Sequence, residues 1–460
     1  MVYGRDVDRQ GGTVSRARAT AEWITEVLPQ LVERHDVVGA QVAVLVDDRV
    51  VDAAAGVLNA ATGVPVTTEA LFQIGSITKV WTATLVQELV NEGLVDLDLP
   101  IRHYLTDFRL ADHVAGETVT TRHLLCHTGG FEGDLFTDTG NNDDAVEKYV
   151  STLADARQLF PPGERFSYCN SGYVVLGRLV ELLRGQTFNS VLRDRLITPL
   201  GLSDVATSVG EAIVRLPAVG HFRASPGGRN EPVRTWSLTA SNAPAGALLT
   251  MSARELLGFV KMHLARRDFD AMRHPHVAVP DLGLFKGHWG LGWALPDYGG
   301  PLVIGHTGRT AGQRAFLRVV PEAGVAVAML SNGGDVFPVF EKVFGHLLRE
   351  LAGVVQPALP VPPANPLRVD ADRITGTYRS ALADNVVHVD EAGRAWLRIV
   401  MHTGQSTPPE PLEVVALGEN AVITVVPDEG AHTVIGLVDD AATGRVQFLH
   451  TSRLIPRLHP

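Results

Sequence analysis

The sequence predicts an α+β domain followed by a small all-β domain. Three observations carry this. Strand-like runs lie at Gln41–Val46 and Arg49–Ala54 and again at 289–330, with helical periodicity between them. Pro357–Pro366 is proline-rich, shows neither helix nor strand pattern, and reads as a stiff linker. After it come seven short strand-like runs separated by turn residues, as in a sandwich or small barrel. The expected division is an N-terminal extension (1–18), a first domain (19–356), the linker (357–366) and a β domain (367–460).

In chain order, Ala19–Arg34 puts Ile24, Val27, Leu28 and Leu31 on one side and predicts an amphipathic helix. Asp47-Asp48 between the first two β-rich runs is a hairpin signal. Val80, Ala83, Leu85 and Leu89 recur at helical spacing after Ser76, and Gly93 is the stop. Pro100 breaks a short connection, Leu97–Leu105. Thr120–Leu125 opens a helix that ends at His127-Thr128-Gly129-Gly130. Gly133–Asp144, polar and rich in Gly and Asp, is expected to be a surface loop. Ala145–Leu159 and Tyr173–Leu183 are helical, with a break at Pro161-Pro162-Gly163, and Ser252 caps Ala253–Ala265. Trp289–Trp293, Leu302–Gly305, Ala315–Val320 and Val325–Leu330 read as successive strands, and Phe337–Leu351 as a closing helix. The C-terminal runs are Ile374–Tyr378, Val386–Val389, Ala395–Val400, Leu412–Val415, Val422–Val425, Thr433–Leu437 and Val446–His450.

Composition narrows the function classes. The 460 residues are 45% hydrophobic, enough for a substantial core, and carry a net charge of -11 with both signs interspersed. No basic stripe points to nucleic acid, and no polybasic segment points to an anionic membrane. The first twenty residues lack an apolar core, and no run approaches the ~20 apolar residues of a membrane span. Two cysteines, Cys126 and Cys169, make no disulfide framework and fit a reducing compartment, so a cytoplasmic protein is expected. His123 and His127 have His-x-x-x-His spacing without the Glu of a metalloprotease box, so no metal site and no cofactor is expected.

Three clusters could carry chemistry. Ser76 sits at the start of a helix with Lys79 three residues on, so hydroxyl and ammonium share a face. A buried lysine has a lowered pKa and can take a serine's proton, and a helix N-terminus supplies N–H groups for an oxyanion. Tyr168-Cys169-Asn170 is the second cluster. A tyrosine beside a lysine is expected to ionise below its usual pKa of ~10, and Asn170 could hold Lys79 and a substrate amide. The third is His306-Thr307-Gly308-Arg309, where a glycine on an edge strand admits a substrate backbone and His306 could donate a hydrogen bond. Taken singly, each also fits a plain structural role: a helix cap, a half-buried tyrosine, a turn histidine.

In this order, Ser-x-x-Lys, Tyr-x-Asn and His-Thr-Gly resemble the signatures of the serine β-lactamase and penicillin-binding-protein family, and the Tyr-Cys-Asn form resembles its class C branch. Leu124–Gly130, Pro244-Ala245-Gly246-Ala247 and Gly290-Leu291-Gly292-Trp293 are similar too, and the resemblance spans residues 20–352. It implies the transpeptidase fold, an antiparallel sheet flanked by helices with a helical subdomain. It implies Ser76 as acylated nucleophile, Lys79 and Tyr168 sharing base and acid work, and Asn170 positioning substrate and Lys79. His306 takes the place of the family's third-motif lysine. The N–H groups of Ser76 and Arg309 form the oxyanion hole, and Thr307 and Gly308 line the substrate strand. Relatives with a C-terminal β-barrel of this size, lipocalin-like in build, match residues 367–460 in architecture only.

His306 in place of lysine argues against a true β-lactamase and is similar to D-aminopeptidases, D,D-carboxypeptidases and peptide-cyclising thioesterases. Arg309 is bulky where a small residue is usual, and its side chain meets either a substrate carboxylate or solvent. The reading is a serine hydrolase or acyltransferase acting through acyl-Ser76 on an ester, thioester or amide, first of all a D-residue peptide or small ester. A biosynthetic transacylase or cyclising thioesterase is the alternative, and a non-catalytic sensor or scaffold the third. The expected partner is a small-molecule or peptide substrate, and a homo-oligomer is compatible with the sequence.

Overall fold

The structure is a computed structural model that describes residues 8–223, 227–284, 286–402 and 410–458, with side chains from Arg16 onward. The first helix, α1 (Asp8–Arg34), starts well inside the expected extension. Eight strands make the main antiparallel sheet: β1 (Gly39–Val46), β2 (Arg49–Gly56), β3 (Val277–Val279), β4 (Gly287–Trp289), β5 (Ala294–Pro296), β6 (Ile304–Thr310), β7 (Gln313–Val320) and β8 (Val325–Ser331), in spatial order β2-β1-β8-β7-β6-β5-β4-β3. So the N-terminal hairpin closes onto the last strand, Ala40 opposite Ser331 and Leu45 opposite Ala326.

Alternation along β1 splits the core in two. Val42 and Val44 face α1 and the closing helix α5 (Val336–Ala352), where Ile24, Leu28, Leu31, Phe316, Phe340 and Phe344 pack together. Ala43 and Leu45 face the helical subdomain with Trp81, Leu85, Leu256 and Phe259. That subdomain includes α2 (Thr78–Asn91), α3 (Asn170–Arg184) and α4 (Ala253–Ala265). Because β1 is buried on both faces, its sequence is apolar with a single polar residue, Gln41. Gln41 is satisfied: its amide donates to the carbonyls of Thr67 and Ala70, and its oxygen accepts from Ala253 N–H at the start of α4.

Two expectations in the sheet need correction. Trp289–Trp293 is not one strand; Gly290–Trp293 is the turn between β4 and β5, where Gly292 has φ 86°. The expected strand Leu302–Gly305 starts later and runs further: β6 begins at Ile304, continues through His306 to Thr310 and pairs with β7 throughout.

Residues 376–456 form a second antiparallel sheet of eight consecutive strands: β9 (Gly376–Arg379), β10 (Ala383–Val389), β11 (Ala395–Met401), β12 (Leu412–Ala416), β13 (Ala421–Thr424), β14 (Val434–Asp439), β15 (Val446–His450) and β16 (Leu454–Pro456). A bridge from Tyr378 to Arg457 brings the end of the sheet back to its start, so the barrel is nearly closed. Tyr378, Val387, Leu397, Val414, Val422, Ile435 and Val446 fill its interior. The start of the first expected run is instead a short helix, Ala371–Ile374, because Asp370 caps it through the N–H groups of Asp372 and Arg373. The eighth strand was not anticipated; Pro456 and the Ser452 turn disguise its three residues. The barrel packs on the rest of the chain through Phe160 with Phe448 and Leu454, and through Leu282 with Ile423 and Val434.

Candidate active site

Ser76 lies in a 3-10 turn, Gly75–Ile77, that runs directly into α2. This turn is wedged between two backbones that only glycine admits. A Cβ on Gly308 of β6 would sit 1.9 Å from the Ile74 carbonyl oxygen, and one on Gly246 would sit 2.3 Å from that of Gly75. One helical turn on, Lys79 is fully buried. Its Nζ lies 3.0 Å from Ser76 Oγ and donates to the Ala245 carbonyl at 2.5 Å. Burial pushes its pKa well down, Arg453 adds to that, and Asp134 opposes it. Lys79 is therefore held toward the neutral amine, a base within hydrogen-bond distance of the serine hydroxyl.

Tyr168 precedes α3, whose N-terminus is capped by Cys169 Sγ accepting from Gly172 N–H. Its ring centroid is 5.0 Å from Lys79 Nζ. The structure thus brings Ser76, Lys79 and Tyr168 into one crevice. Contrary to expectation, burial raises the phenol's pKa; contact with Ser76 and the Arg453 cation only moderate the rise. The phenol stays protonated because burial disfavours phenolate more than Ser76 and Arg453 favour it.

Asn170 does not hold Lys79 as expected. Its amide donates to Asp134 Oδ1 at 2.5 Å, while Lys79 is held by Ser76 and Ala245. Gly133–Asp144 is accordingly not a plain surface loop: its first residues enter the site, and Gly133 carbonyl accepts from Ser171 N–H and Oγ. Asp134 also pairs with Arg453 of the barrel, Oδ2 to Nε at 2.8 Å, and the Arg453 guanidinium lies 4.6 Å from the Tyr168 ring centroid. Tyr168 N–H donates to Ser452 carbonyl, and Leu454 N–H to Ser167 Oγ. The β15–β16 turn therefore forms one wall of the crevice.

His306 is buried in β6, 6.2 Å from the Tyr168 ring and 5.4 Å from Trp289. Its Nδ1 lies 2.7 Å from the Thr307 carbonyl, an acceptor, so Nδ1 carries the proton and Nε2 is left with a lone pair. The expected donor is thus spent locally. Burial and Lys79 hold the imidazole down to a pKa of about 3, so it is uncharged. Thr307 is half-buried beside it and Gly308 abuts the Ser76 turn. The Arg309 backbone N packs on Gly75, where a Cβ would come within 2.8 Å of it. The Arg309 side chain is 56% exposed and lies 3.9 Å from Glu429 in the β13–β14 connection, so it faces the barrel and solvent together.

Among the described residues, no group of three or more His, Cys, Asp or Glu is placed to hold a metal, and no helix is long and apolar enough to cross a membrane. Cys169 is buried and its thiol is pushed up to about 12 by that burial, which leaves it inert beside the site.

The model of the beta-lactamase family matches residues 24–346. This chain belongs to the beta-lactamase family. That family of serine hydrolases includes penicillin-binding protein 4 of Amycolatopsis lactamdurans, to which the chain is 40% identical over 371 residues, covering 78% of this chain and 97% of that protein. The solved structure of SurE, 29% identical, superposes with a TM-score of 0.75 over 96% of this chain and 100% of that one, so the likeness includes the barrel; SurE has also been solved with D-Leu. The D-amino acid amidase of Ochrobactrum anthropi SV3, solved with L-phenylalanine, is 25% identical with a TM-score of 0.58 and covers 68% of this chain and 92% of that one.

Sequence reasoning missed Asp134 and Arg453. Nothing in the local pattern flags either; only the docking of a β-hairpin tip brings Arg453 to Asp134. His127 was seen in its motif and set aside with metals, although its ring stacks on Tyr168 at 4.1 Å.

Proposed function

We propose that this protein is an acyl-serine enzyme that cleaves or transfers the acyl group of a D-residue peptide, ester or amide. The observation that carries the reading is the 3.0 Å contact between a buried lysine amine and Ser76 Oγ with Tyr168 against both. Neutral Lys79 takes the Ser76 proton as Oγ attacks the carbonyl. The oxyanion forms at the N–H groups of Ser76 and Arg309, at the start of a helix and the edge of β6. Beyond Gly305 no residue of β5 pairs with β6, which leaves Thr307–Arg309 available to an extended substrate. Tyr168, still protonated, carries the proton on to the leaving group. His306 contributes shape and a hydrogen-bond acceptor rather than charge.

The D-residue preference rests on kinship: a relative solved with D-Leu and a D-amino acid amidase share the fold. One observation favours a second reading, transfer to an amine. The C-terminal barrel lays Arg453 beside Tyr168, where it pairs with Asp134 of the loop that begins at Gly133. That ion pair could hold an incoming amine or carboxylate where water would otherwise enter.

The test is incubation with D- and L-aminoacyl esters, with and without an amine, followed by intact-protein mass. An acyl adduct that requires Ser76 and forms faster from the D-ester supports the reading. No adduct from any ester or fluorophosphonate would sink it in favour of a non-catalytic sensor. Aminolysis far above hydrolysis would exclude the plain hydrolase and leave the transacylase.

A further inference from the structure

His127 belongs to the stretch Leu124–Gly130 and touches neither Ser76 nor Lys79 in any hydrogen bond described above. It is completely buried and adopts φ 58°, a left-handed conformation that costs a side-chain-bearing residue ~1–2 kcal/mol. Such a cost persists where the surroundings demand it. What the conformation achieves is a two-point grip on one short segment. The His127 carbonyl accepts from Ser167 N–H at 2.9 Å, and its Nδ1 accepts from Cys169 N–H at 3.0 Å. The residues on either side of Tyr168 thus both end on His127.

The ring completes the grip. It lies against the phenol of Tyr168 at 4.1 Å and 31°, with Tyr173 at 5.1 Å, and Trp289 and Phe166 at steep angles behind. Because Nδ1 accepts, the neutral ring keeps its proton on Nε2. A protonated ring would lose that acceptor and put a cation among Lys79, Arg453 and His306. Burial first, then those groups, hold it uncharged.

We propose that His127 is a positioning residue for Tyr168: by gripping the backbone on both sides of the phenol and stacking on its face, it fixes the proton carrier over Ser76 and Lys79. The inference rests on the acyl-Ser76 reading and names a second-tier residue of that same site. Reading the grip as general packing instead makes a different prediction, since packing alone would not care which atom accepts from Cys169.

The experiment compares His127→Asn, His127→Gln and His127→Ala for kcat, KM and Tm on an activated ester, each alone and with Tyr168→Phe. Asparagine places an oxygen near the position of Nδ1 and tolerates positive φ; glutamine reaches toward Nε2 instead. His127→Asn is expected to keep kcat within ~10-fold, and His127→Gln and His127→Ala to lose ~100-fold with KM within ~3-fold. In the Tyr168→Phe background, the same changes are expected to cost less than ~3-fold, because the group they position is gone. Losses that multiply fully with Tyr168→Phe overturn the inference, as does glutamine outperforming asparagine. If His127→Ala fails to fold, the asparagine–glutamine order still decides. The underlying reading fails separately, by turnover that survives Ser76→Ala.

Discussion

Arg453→Ala is the perturbation that reports most directly on the electrostatics of the crevice. Its guanidinium and Lys79 Nζ lie 4.6 and 5.0 Å from the same ring centroid, so the two cations are no more than about 10 Å apart. At an effective dielectric of ~20, two like charges no farther apart than that repel by at least about 1.7 kcal/mol before solvent screening. The Arg453 side chain is 35% exposed, so solvent screening reduces this repulsion. The sign is fixed: Arg453 lowers the Lys79 pKa, so removing it raises that pKa. Catalysis needs the neutral amine, so kcat/KM climbs with pH through the Lys79 pKa and then levels off.

The acid limb of kcat/KM in Arg453→Ala should therefore move to higher pH relative to wild type. Arg453→Lys, which keeps the charge, should leave it nearly in place. Asp134→Asn should move it down, because Asp134 supports the ammonium. The assay is a pH series on one activated ester under subsaturating conditions, with Tm recorded for each variant. A folded Arg453→Ala protein whose acid limb stays put or moves down refutes the reasoning. The opposite movement of the Arg453 and Asp134 variants separates electrostatics from lost packing, which would move both the same way.

Other outcomes follow from the same geometry. Ser76→Ala should abolish both turnover and the fluorophosphonate adduct, read by intact mass; an adduct persisting on that variant would put the nucleophile elsewhere. Tyr168→Phe should lower kcat by ~100-fold or more, and the wild-type profile should show no alkaline limb below about pH 10, since burial raises the phenol; a limb near pH 8 contradicts a protonated carrier. Three buried histidines make the fold acid-sensitive: His263 and His306 are held down to about 3 and His450 to about 4, against ~6.5 unfolded. Their folded pKa values are lowered, so this stability is present above pH ~6.5 and is lost as pH falls toward 3–4, about 2 kcal/mol each by pH 5; an unchanged Tm between pH 7 and 5 would count against it. Truncation after residue 366 should impair kcat more than Arg453→Ala does, because it also removes Ser452 as the acceptor for Tyr168 N–H and uncovers Phe160; equal rates would relieve the barrel of any part in the site.

What was legible in the sequence is what short-range chemistry encodes. Ser76 and Lys79 share a helix face by spacing alone, and seven of the eight barrel strands stand out as β-rich runs between turns. The eighth did not, since three residues ending in proline carry too little pattern. Tyr168 could be chosen from its neighbours, but its protonation could not, because that depends on burial by Trp289, His127 and the barrel, each from a distant part of the chain. Gly133 and Asp134 were misread for a related reason. Polar residues near glycine look like solvent-exposed loop until a partner is known, and the partner of Asp134 is Arg453. The third motif shows the consequence. A lysine at position 306 would bring a positive charge to the crevice along β6; the histidine there is buried and uncharged. The positive charge beside Tyr168 comes instead from a hairpin tip of the other sheet. Positive charge beside Tyr168 can therefore be supplied from an unrelated position in the chain, and a motif compared residue by residue does not register it.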